Sequence, residues 1–172
     1  MDIRIHGCQG SIPDREAFIA ALQSFAAAHD IACQAFDAAA IYGETHLRSA
    51  VQHAVRAVSR GEATCNDLSM EILLYASGCR QIRDAIERVG ICGGAIILVV
   101  VGCTGMPGSD GRVGNIQNFM DAHSLTVDDG VVVGDTGVLD RFGISPAERE
   151  AIDSSMYEDL ILEQVAMVDL HT

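Results

Sequence analysis

The chain contains no lysine. All 11 of its basic residues are arginine, set against 24 acidic residues, for a formal charge of −13. That single absence excludes a phosphate-loop lysine, a Schiff-base lysine and a kinase-type strand lysine. The acidic balance also argues against duplex nucleic acid held on a broad phosphate-neutralising surface. Long apolar runs are missing too: the longest, AIILVVV at 95–101, is far short of the roughly 20 residues of a membrane helix. The six cysteines (Cys8, Cys33, Cys65, Cys79, Cys92, Cys103) form no CxxC pair, which disfavours zinc and thioredoxin-like redox sites. They read as free thiols in a reducing compartment. No GxSxG elbow is present, so a hydrolase of that design is excluded.

What remains is a globular composition, 49% apolar and 20% charged over 172 residues. One domain, residues 1–172, is the simplest organisation, and it would bury about 70% of its unfolded surface. The opening MDIRIHGCQG lacks the basic region and apolar stretch of a secretory signal, so an intracellular, cytoplasmic protein is expected.

Ile3 to His6 alternates with period two, as a strand with one wet face does. Pro13 to His29 follows as a helix with Phe18, Leu22 and Phe25 inward, then a short strand at Ile31 to Asp37. His46 to Arg60 has the helical period, with Leu47, Ala50, Val51, Ala54, Val55 and Val58 inward. The run at 95–101 predicts a central strand covered on both faces. Thr126 to Asp140 is acidic and punctuated by glycine, its VVV suggesting a minor strand. Ser145-Pro146-Ala147-Glu148 is a capping box, opening a long helix expected to run from Ala147 to about Leu170. This order gives an α+β class, a mostly helical layer packed on a small mixed β-sheet of about three main strands.

Asn66 to Ile91 reads as two helices meeting at Ser77-Gly78. Leu68, Ile72, Leu73 and Ala76 form one inward face, and Ile82, Ala85, Ile86 and Val89 the other. Asn66 and Asp67 suit a helix start, and Gly78 a helix end. Arg83–Glu87 and Asp84–Arg88 are i,i+4 pairs. Neither stripe uses Glu71, Tyr75, Arg80 or Gln81. A solvated face with local pairing accounts for these four as well as a binding site does. Other constellations are weaker. The loop from Gly105 to Gly114 follows the buried strand but has no Walker or GxGxxG pattern, so an anion- or nucleotide-binding enzyme built on it stays the alternative reading. His46 and His53 share a helix face roughly 10 Å apart, too far for one metal ion, so no metal site and no cofactor are expected.

The stretch FDAAAIYGETHLRSAVQHAVRAVSRGEATCNDLSMEILLYASGCRQIRDAIERVGI, with AIILVVV and the later FGISPAE, resembles the small KEOPS accessory subunit family. Its animal member is the p53-related-protein-kinase-binding protein. The resemblance spans most of the chain, and its SxEILLYASGxRQIxxAI core is its most specific part. The Gly105–Gly114 loop and VDDGVVVGDTG depart from the family pattern and read as lineage insertions. The resemblance implies a non-catalytic subunit of the KEOPS complex that installs threonylcarbamoyl on tRNA adenosine. Its direct partners would be the complex's kinase-like ATPase subunit and the single-stranded CCA end of tRNA, with other KEOPS subunits contacted indirectly. The matching RNA-binding positions are Asn66, Glu71, Leu74, Tyr75, Arg80, Gln81 and Ile82, with Arg83 and Arg88 joining Arg80 in a local positive patch. The apolar surplus of the last helix (Leu160, Ile161, Val165 and Val168) is the expected kinase-docking surface.

Overall fold

The computed structural model describes residues 1–103 and 116–171. The glycine-rich loop Gly105–Gly114, and with it the nucleotide-site alternative, lies outside the described residues. Four strands, β1 (Asp2–Gln9), β2 (Ala32–Asp37), β3 (Ile96–Gly102) and β4 (Thr126–Val127), form one sheet in the order β2-β3-β1-β4. The expected α+β class holds. Every ladder is antiparallel, however, whereas a mixed sheet was expected. β1 and β2 run parallel to each other, but β3 inserts between them and opposes both, so no parallel pair is in contact.

β3 shows why its sequence is apolar throughout. All seven of its residues are buried. Ile97, Val99 and Val101 face one core, while Ile96, Leu98 and Val100 face a second on the other side of the sheet. Each such side chain is worth about 1.5–3 kcal/mol relative to exposure. α1 (Arg15–His29) and α5 (Ile116–Ala122) close the second core with Phe18, Leu22 and Phe119. The larger first core is closed by α2 (Glu44–Arg60), α3 (Leu68–Ser77), α4 (Ile82–Val89) and α6 (Thr136–Arg141).

The C-terminal region is not one helix. α7 (Pro146–Glu150) starts on the expected capping box: the Glu148 carboxylate accepts from Ser145 N–H at 2.7 Å, and Glu148 N–H donates to Ser145 Oγ at 3.3 Å. The chain then breaks at Asp153, whose carboxylate caps a 3-10 turn, Ser154–Met156, by accepting from Ser155 N–H at 2.8 Å. An aspartate followed by two serines offers the backbone alternatives to helical bonding, which is enough to end α7. α8 (Tyr157–Met167) follows, then a last 3-10 turn, Val168–His171. The VVV segment is likewise no strand: Val131 ends a 3-10 turn, and Val133 makes an isolated bridge to Gly43.

His46, on the first turn of α2, is fully buried. Its Nε2–H donates to the Ala76 carbonyl on α3 at 2.8 Å, and its Nδ1 accepts from Tyr42 N–H at 3.2 Å. The Tyr42 bond needs the neutral ring, because only an unprotonated Nδ1 can accept. Burial pushes its pKa from 6.5 down to about 4, and the Ala76 hydrogen bond only partly opposes this. The unfolded chain therefore takes up this proton first as pH falls. The stabilisation is complete above about pH 6.5 and is lost on the way down to about pH 4, a change of roughly 3 kcal/mol. Urea unfolding should show stability falling across that window, with a shallower slope in His46→Gln. Equal slopes in the two proteins would exclude His46 as the titrating group.

Candidate nucleic-acid and partner interface

The break between α3 and α4 is built from backbone capping. Asp67 caps α3 by accepting from Ser69 N–H at 2.8 Å. At the other end Gly78 has φ +66, with Gly78 N–H donating to Tyr75 O and Cys79 N–H to Leu74 O. A side chain at 78 would be strained in that conformation and would also press on the Gln164 backbone of α8. Arg88 reaches back from α4 to the Ser77 carbonyl (2.8 Å) and lies over the Phe142 ring, 5.3 Å from its centroid. It is therefore a clasp across the break and not a member of a patch with Arg80.

The residues expected at an RNA site separate into two groups. Leu74 and Glu71 are buried at 0% and 1% exposure. Leu74 is core, and Glu71 accepts from Thr64 N–H (3.2 Å) and Cys65 N–H (2.8 Å), fastening the α2–α3 loop. Neither presents a side chain to RNA. Asn66, Gln81, Ile82 and Arg83 are exposed, and Arg80 is half-buried, its guanidinium donating to the Val168 carbonyl at 3.4 Å. Tyr75 is 4% exposed, and its ring stacks on His53 with centroids 5.6 Å apart, so it does not offer a free face to a base. Its hydroxyl donates to Asp169 at 2.5 Å, and His53 Nδ1–H donates to the other carboxylate oxygen at 2.7 Å. Burial and then the Asp169 bond raise the Tyr75 pKa. Burial works to raise that of Asp169, but the bonds from Tyr75 and His53 and the charges of His53 and Arg56 hold it below the usual carboxylate value.

Tyr75 and Asp169 border a cleft of about 340 Å³ whose other walls include Arg56, Arg60, Glu62, Thr64, Arg80 and Val168. Three arginines on one cleft of a chain with 11 is a concentration of positive charge. Arg56 and Arg60 are what the sequence reading missed. Their i,i+4 spacing on the exposed side of α2 was the available signal, but nothing local tied them to Tyr75.

The surface expected to dock a kinase is largely interior. Ile161 and Val165 are 0% exposed and Val168 6%, all within the first core; Leu160 is half-buried against it. A single inward stripe uses them up. On α4 the opposite holds. Ala85 and Val89 are buried, but Ile82 and Ile86, expected inside, are 42% and 53% exposed. Ile86 also borders an apolar groove of about 560 Å³ between α4 and α1, which includes Ile19, Leu22 and Ile91. α4 has only eight residues and touches the core along a narrow line, so its apolar stripe overhangs.

Residues 15–169 match the family model described as kinase binding protein CGI-121. The chain belongs to this family. The match covers nearly the whole chain, including α1 to α8 and therefore both the arginine cleft and the α4 face. A kinase is the partner class that the family's description names. No curated protein matches the chain significantly. Among the described residues, no cluster of three or more histidine, cysteine or acidic side chains is arranged to hold a metal.

Replacing Glu71 tests its reassignment. Glu71→Ala should lower stability by about 1–3 kcal/mol by leaving loop amides unpaired, and Glu71→Gln, which keeps one acceptor, should cost less. Urea unfolding measures both. A change in RNA affinity without a stability loss would return Glu71 to the binding surface.

Proposed function

We propose that this protein is the non-catalytic, kinase-binding subunit of a KEOPS-type tRNA threonylcarbamoyladenosine complex, docking on its kinase-like ATPase and holding the unpaired 3′ CCA end of tRNA. Family membership over residues 15–169 carries the kinase half of this reading. The arginine cleft beside the helix break supports the RNA half. Unpaired ends are bound by stacking on aromatic or guanidinium planes and by a few phosphate contacts, which needs a small site and not a basic face. With Tyr75 turned inward, the guanidiniums of Arg80, Arg56 and Arg60 supply the planes and charge, and exposed Gln81 lies near the break to reach base edges, whereas Asn66 sits at the far end of α3, outside the cleft. The remainder of the surface is acidic, so binding by the isolated subunit is weak and the partner subunits add most of the attraction.

For the kinase, the exposed Ile82 and Ile86 of α4 with the adjoining groove form the docking face, in place of the buried residues of α8. Ile86→Asp should reduce capture of the kinase-like subunit at least about tenfold without lowering the unfolding temperature, because the side chain is already half in water. Capture unchanged in Ile82→Asp/Ile86→Asp would place the docking face elsewhere.

The RNA half is tested by fluorescence anisotropy with tRNA and with tRNA trimmed of its CCA end. Trimmed tRNA should bind more weakly, and Arg80→Glu should remove the difference, at a cost of about 1–3 kcal/mol of affinity. If intact and trimmed tRNA bind equally, the protein is a kinase-binding module that does not hold the CCA end.

A further inference from the structure

We propose that the cleft between α2 and the last 3-10 turn is an anion site for a phosphate ester, and that Asp169 is the carboxylate that fills it when no ligand does. For a phosphate on an RNA strand this deepens the RNA reading above and rests on it; the anion site itself does not.

The geometry is that of a bound anion whose source is the chain's own last 3-10 turn. The Asp169 carboxylate takes hydrogen bonds from Tyr75 Oη–H and His53 Nδ1–H and lies in the field of Arg56. Arg60 and Arg80 border the same cleft. The acidic residue opposing them, Glu62, pairs with Arg60 at 4.0 Å, with both side chains about three-fifths exposed. Without Asp169 the cleft walls would hold three guanidiniums against one carboxylate, a vacancy that an anion would fill.

Asp169 is also placed to leave. Val168 is anchored in the first core, but Leu170 is 73% exposed and adds no apolar anchor beyond it. Rotation about the Asp169 side chain, or a shift of the turn after Val168, releases the Tyr75 and His53 donors. A phosphate entering the vacated place meets the same two donors and the same arginines, and it brings more oxygens and up to one more charge than a carboxylate. The donors are already desolvated and oriented by the exchange partner, so one anion replaces another in a preformed cradle. In the resting chain, ligand affinity is reduced by competition with Asp169.

The test follows the arginine Nε–H resonances by NMR while inorganic pyrophosphate is added to the native protein and to Asp169→Asn, which keeps size and an acceptor for Tyr75 but loses the charge. Saturable shifts of the Arg56, Arg60 and Arg80 signals are expected in both, with a Kd about three- to tenfold lower in the variant. No saturable shift in either protein, or the same Kd in both, overturns the proposal. An oligonucleotide ending in CCA supplies the second arm. If it moves the same resonances, the phosphate comes from the RNA strand. If pyrophosphate moves them and the oligonucleotide does not, the anion site stands, the RNA reading falls, and the phosphate belongs to a free nucleotide.

Discussion

β3 is the element on which the rest of the structure depends. A strand buried on both faces can exist only if two separate layers cover it, and the seven apolar residues of β3 impose that requirement on everything else. α1 and α5 answer it on one side, and α2, α3 and α8 on the other. β1 and β2 then flank β3, each antiparallel to it, although β1 and β2 themselves run the same way. The candidate functional surface is a by-product of the larger of these layers. The cleft opens where α2, the end of α3 and the turn after α8 meet over the first core.

That layer is assembled with polar clasps at its seams. His46 ties α2 to the end of α3, Glu71 ties the loop between them, Arg88 spans the break to α4, and Asp169 ties the chain's end to Tyr75. Each hydrogen bond adds only about 0.5–1.5 kcal/mol net, much less than the apolar burial beneath it. Their effect is on which arrangement is chosen. An apolar layer of alanine, valine and leucine can slide, whereas a buried His46 left without Ala76 or Tyr42 is costly, so the seam has one register. The same reasoning explains why two of the residues suspected of contacting RNA were polar or aromatic yet faced inward.

The fold was legible wherever one residue's neighbours in sequence decide its environment. β3 announced itself by composition, α1 and α2 by period, and Asp67, Gly78 and Ser145 marked helix ends by the local chemistry of capping. The reading failed where long-range placement decides. The apolar stripe of α4 looked like core, but a short helix beside the edge of the layer buries Ala85 and Val89 and leaves Ile82 and Ile86 outside. The last helix looked continuous because its apolar period persists through Asp153, while its inward stripe was mistaken for a surplus. The site was half legible. Arg80 and Tyr75 were found from the polar break, but their companions Arg56 and Asp169 lie on other elements, the latter 94 residues from Tyr75. No local pattern brings such residues together.

A chain of charge −13 can hold an anion only if the site is local and the field is screened. At physiological salt the Debye length is about 8 Å, so the acidic surface beyond the cleft contributes little once a ligand is seated among Arg56, Arg60 and Arg80. The same surface still opposes the approach of a polyanion, because encounter is sensed before contact. Seating and approach are therefore controlled by different parts of the molecule. The proposed role of Asp169 fits this division: its carboxylate accepts from Tyr75 and His53 in the field of Arg56 while the chain is alone, and it would yield to a better anion delivered by a partner whose own charge overcomes the approach barrier. A chain built this way would gain useful affinity for such a ligand only beside a partner, which is the behaviour the proposed function requires.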